Sequence, residues 1–70
     1  MTDTALLKKK IEESGISQQF ICKKLGISRY TWYRKRDGLV DFKAPEIQIV
    51  CDVLNITSLR EKNQIFFAKM

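Results

Sequence analysis

Apolar residues recur along this chain three and four positions apart, the spacing of helices, and nowhere alternate over four or more positions as a half-buried strand would. Leu7 and Ile11, with Leu6 alongside, give a first helix from about Thr4 to Ser14. Ile21 and Leu25 give a second over Gln18 to Leu25. The third, Arg29 to Arg36, has only one clearly apolar inner residue, Trp32. A loop through Gly38-Leu39-Val40-Asp41-Phe42-Lys43 follows, in which Phe42 is placed to close over the fourth helix. That helix, about 45–54, is opened by Ala44-Pro45-Glu46, where the missing proline N–H costs nothing. Ile47, Val50, Cys51 and Leu54 form an i, i+3, i+4, i+7 stripe that Ile49 and Val53 widen. Such a helix is either the centre of the core or part of an interface.

Punctuation agrees with these boundaries. Gly15, Gly26 and Gly38 leave segments of about ten residues, close to the mean helix length. Ser17 and Ser28 stand where a side-chain oxygen caps the next helix. Ser58-Leu59-Arg60-Glu61 has capping-box spacing and starts a short C-terminal helix and tail over 58–70. The apolar Ile65-Phe66-Phe67 either folds back on the first helix or joins a dimer interface. The expected architecture is all-α: one compact bundle of about five short helices spanning 1–70.

Composition narrows the function. Seventy residues hold one small domain, and 44% hydrophobic content supplies its core. No apolar run approaches the roughly 18 residues of a membrane span, and the polar, acidic start is unlike a signal peptide. Cys22 and Cys51 lie in apolar helical patterns and read as reduced core residues. The chain has no His, which argues against an ordinary hydrolase or zinc site. Neither a nucleophile elbow nor a Gly-rich phosphate loop is present, so no enzyme and no cofactor is expected.

Charge is uneven. The net charge is +5, and from Ser17 to Arg36 there are six basic residues (Lys23, Lys24, Arg29, Arg34, Lys35, Arg36) and no acid. A solvated surface is the bland explanation. Against it, the third helix gives most of its circumference to Arg, Lys, Tyr and Thr, types that reach phosphates and base edges. It also lacks partner acids for ion pairs within the helix. Trp32 is its core anchor, not a platform for stacking bases. The Lys8-Lys9-Lys10 run fans too widely to face one duplex.

Leu25-Gly26-Ile27-Ser28 is a tight turn of the kind that sets two helices at roughly 90–120°. With it, the stretch from Ile16-Ser17-Gln18-Gln19-Phe20 through Cys22 to Thr31-Trp32 resembles the helix-turn-helix of the phage repressor and Cro (λ-repressor-like) class. The Asp37-Gly38 helix end and Leu54-Asn55-Ile56 match too, so the likeness covers about residues 4–60, with the motif itself at about 17–37. Three positions depart from the pattern: Cys22 for the usual Ala, Trp32 for a smaller aliphatic, and Lys35 where many members turn an aliphatic inward. The last implies a shorter or tilted end to the third helix.

The resemblance implies a transcriptional regulator, a repressor of Cro type, in the cytoplasm of a bacterial host. It would bind operator double-stranded DNA with the third helix in the major groove, as a homodimer at least on DNA. Arg29 becomes the leading base reader, suited to a guanine O6/N7 pair, followed by Tyr30, Thr31 and Arg34. Gln18, Ser28, Tyr33, Lys35, Arg36 and Lys43 become the phosphate contacts around the rim. Two other readings stay open. A protein-interaction module, an antirepressor or adaptor with a protein partner, is motivated by the apolar fourth helix and tail. Non-specific nucleic-acid binding would need only the charge and would show a steep salt slope without sequence preference.

Overall fold

The computed structural model describes residues 1–68, which form five helices and, among the described residues, no strand. They are α1 (Thr4–Ser14), α2 (Gln18–Leu25), α3 (Arg29–Arg36), α4 (Ala44–Val53) and α5 (Leu59–Phe66). The all-α bundle expected from the apolar spacing is the fold observed.

Side-chain caps start the helices. Asp3 Oδ1 accepts from the Leu6 N–H at 3.0 Å, a cap that the sequence reading passed over. The Ser17, Ser28 and Ser58 hydroxyls accept from the Phe20, Thr31 and Glu61 N–H groups. At α4 the cap is a single arm: Glu46 Oε1 reaches back to the Lys43 N–H at 2.8 Å. Gly26 ends α2 at φ +71°, a left-handed conformation that costs glycine little. Asn55 does the same after α4 at φ 59°, as Asn can because its short amide bonds locally.

The core is continuous. Leu7, Ile11, Ile21, Trp32, Ile47, Val50, Cys51, Leu54, Ile65 and Phe66 are buried in it, and Cys22 with them. α4 therefore lies at the centre of the core, with Ile49 and Val53 left half-buried at its edge, and α2 packs on it. Phe42 closes the loop as expected. Its ring meets Trp32 edge-on at 5.9 Å and Phe66 at 5.4 Å, a preferred arrangement for aromatic pairs. Both cysteines are free and buried.

The tail resolves one open alternative. Ile65 and Phe66 turn inward, and only Phe67 stays out, at 54% exposed. The Asp3 N–H donates to the Ile65 carbonyl at 2.6 Å and the Ala68 N–H to the Met1 carbonyl at 2.9 Å, so α5 lies against the start of α1. No helix among the described residues is long and apolar enough to cross a membrane.

Candidate nucleic-acid interface

α2 and α3 pack on each other across the Gly26–Ser28 joint. There the Ile27 N–H donates back to the Cys22 carbonyl at 3.2 Å. The joint turns α3 so that Trp32 is fully buried and Tyr30, four-tenths of a turn round by helical periodicity, is 70% exposed. With Trp32 and Lys35 inside, Tyr30 and Arg34 point away from the core, exposed Arg29 stands at the flank, and Tyr33 is half-buried between them. None of these four is acidic.

The outward residues are paired along the helix. Arg29 Nη2 donates to Tyr33 Oη at 3.0 Å, with its guanidinium carbon 5.8 Å from the ring centroid. Arg34 lies over Tyr30 at 5.6 Å. Both are i, i+4 pairs, near enough for cation–π attraction. Arg36 stacks on the other ring, 4.7 Å from the Tyr33 centroid. Tyr33 thus lies between two guanidinium groups, half-buried against the core.

The remaining candidates separate into three situations. Gln18 does head α2, but its Oε1 is taken: Trp32 Nε1 donates to it at 2.7 Å and Arg36 Nη1 at 2.8 Å. Arg36 is further held by Asp37, and Lys8 approaches the same carboxylate at 3.2 Å. Hydrogen bonds from Arg36 and then Lys8 hold the Asp37 carboxyl below the usual aspartate value. Ser28 and Thr31 are bound to each other, hydroxyl to hydroxyl at 3.0 Å, within the α3 cap. Thr31 is half-buried at the edge of the outward face, while Lys43 is exposed at the head of α4.

Lys35 requires a correction. Expected among the phosphate contacts, it is only 5% exposed. Its Nζ donates to Glu46 Oε1 at 2.9 Å and to the Asp41 carbonyl at 3.1 Å. The lysine fills the inward position itself, and α3 runs on to Arg36 without being cut short. A charge bound this way cannot reach a phosphate without breaking a buried ion pair.

The structure also shows features that composition did not signal. Phe20 is partly exposed beneath Lys24, whose Nζ is 5.4 Å from its ring, and it borders half-buried Ile49 and Val53. Lys10 pairs with Glu61 at 2.9 Å, tying α1 to α5. The Arg29–Tyr33 and Tyr30–Arg34 spacings were present in the sequence and could have been found as helical neighbours.

Burial pushes the Cys22 thiol up, although Arg29 acts in the opposite sense, and burial likewise raises Cys51. A buried thiol shifted upward is a poor nucleophile. No group of three potential metal ligands is found among the described residues. No protein-family model, curated protein or solved structure matches this chain. Chemically, the α3 face offers two exposed guanidinium groups and two phenols on a rigid helix, suited to hydrogen-bond acceptors in a groove.

Proposed function

We propose that this protein is a sequence-specific double-stranded DNA-binding regulator of transcription, a repressor of the phage Cro type. It inserts α3 into the major groove as a helix-turn-helix with α2. One observation carries the reading: outside the buried Trp32 and Lys35, α3 presents exposed Arg29, Tyr30 and Arg34 around a half-buried Tyr33, with no acid among them. Arg29 and Arg34 reach base edges, and Tyr30 packs on a thymine methyl or bonds a phosphate. The amide-rich start of α2 and the exposed Lys43 serve the backbone.

A surface this small makes few base contacts, so the protein acts as a homodimer on a near-palindromic operator. A protomer measuring 27 × 23 × 21 Å is small enough for two, side by side, to place their α3 helices about 34 Å apart. Occupying promoter DNA represses transcription.

In vitro selection from a random duplex library at about 150 mM salt tests this, because non-specific binding is weak there. Recovery of an inverted repeat with half-sites one helical turn apart supports the dimeric reader. A single unrepeated site keeps DNA recognition and removes the dimer. Absence of enrichment overturns the proposal and favours the protein-interaction reading. The partly exposed Phe20, set against Ile49 and Val53, is the observation that favours that second reading.

A further inference from the structure

We propose that Tyr33 is the residue that positions Arg29 to select guanine. The inference rests on α3 entering the major groove as described above. A long arginine side chain on a surface samples many rotamers, and the freedom lost on fixing it is subtracted from any binding it provides. An arginine held beforehand loses less and accepts fewer wrong partners. Arg29 is held: its Nη2 donates to Tyr33 Oη at 3.0 Å one turn further along α3.

Tyr33 is itself fixed by a chain of contacts that ends in the core. Arg36 stacks on its ring at 4.7 Å. Arg36 in turn donates to both carboxylate oxygens of Asp37, at 3.0 and 3.3 Å, and to Gln18 Oε1 at 2.8 Å. That same Gln18 oxygen accepts from the fully buried Trp32 indole at 2.7 Å. The aim of the Arg29 guanidinium is thereby referred to the core and not to solvent. Arg34 offers the contrast within the same helix, lying over the 70% exposed Tyr30 with no hydroxyl bond of this kind.

The chemistry of the bond suits the role. A guanidinium has five N–H donors arranged as two forks, and a phenol oxygen that accepts one Nη2 hydrogen leaves the other fork complete. A complete fork is what guanine O6 and N7 require in the major groove. The phenol accepts in this bond, so its own hydrogen remains available to a phosphate.

Tyr33→Phe removes the hydroxyl and keeps the ring on which Arg36 stacks. Affinities of the wild type and this variant are to be measured for the selected operator and for every single-base substitution of one half-site, at several salt concentrations. The expected result is that guanine preference at one position falls on the order of tenfold, the worth of a hydrogen bond to a charged group. Preferences elsewhere and the salt slope stay as they were. Unchanged preference at every position overturns the role of Tyr33 while leaving DNA recognition intact. A uniform loss across all sequences also overturns it, and makes Tyr33 a phosphate contact. If the wild type itself shows no sequence preference, DNA reading fails and the role of Tyr33 with it.

Discussion

Lys35 is a charged residue in an apolar position. It is tolerated because Glu46 Oε1 and the Asp41 carbonyl meet its ammonium inside the fold. Lys35→Met is expected to cost about 3 kcal/mol by urea denaturation, since it leaves the Glu46 carboxylate largely buried without its partner. Adding Glu46→Gln should recover part of that loss, because the amide oxygen can still accept from the Lys43 N–H.

The same pair sets a pH dependence. Burial acts to raise the Glu46 carboxyl, but the Lys43 N–H and the Lys35 ammonium outweigh it, holding the group below the usual glutamate value. A carboxyl lowered by folding stabilises the protein above its unfolded pKa, near ~4.3 for glutamate. That stability should drain away as pH falls through the lower, folded value. Urea midpoints measured from pH 6 down to pH 3 should show the decline, and Glu46→Gln should flatten it.

Arg29→Ala is expected to lose about 1–3 kcal/mol of operator affinity and relax one base position, read by competition among operator variants. The inward place of Lys35 was not read from the sequence: its departure from the aliphatic of the similar family suggested a shortened or tilted helix end, and its charge suggested a phosphate contact. The partners that hold it inward lie six and eleven residues on, on and past a loop whose path local spacing does not specify.

At the scale of elements, spacing and punctuation carried most of the information. α1, α2 and α3 lie where Leu7/Ile11, Ile21/Leu25 and the two serine caps put them, because each boundary is a local hydrogen-bonding matter. Gly26 shows how strict one such boundary is. An added Cβ would meet nothing within 4 Å, so only backbone strain at φ +71° opposes it. Gly26→Ala should therefore destabilise by about 1–2 kcal/mol, measured by thermal unfolding, with no change in core packing. The fate of Ile65-Phe66-Phe67 was not legible, since an apolar tail fits a core or a neighbour equally well. Phe42 decides it by presenting a ring edge to Phe66. The outward face of α3 was half legible: Arg29, Tyr30 and Arg34, singled out by the resemblance, are exposed. The i, i+4 spacing of Arg29 and Tyr33 was legible too, whereas the hydroxyl bond that draws Thr31 into the cap required the structure.

The whole molecule depends on its last helix. Phe66 is nearly fully buried against Phe42, and Phe66→Ala should cost about 3–5 kcal/mol. A domain this small has only about 5 kcal/mol or somewhat more to lose, so the variant should be substantially unfolded near physiological temperature by circular dichroism. The bonds from Asp3 to Ile65 and from Ala68 to Met1 have a consequence for synthesis, which proceeds from the other end. While the ribosome is still adding residues 59–68, the partners that α1 needs do not yet exist. The growing chain can form its first helices but cannot lock them, and the α3 surface gains its rigid support only once residues 59–68 have been added. A nascent chain that stops short of α5 therefore lacks the packing that holds Phe42, and through it Trp32, in place.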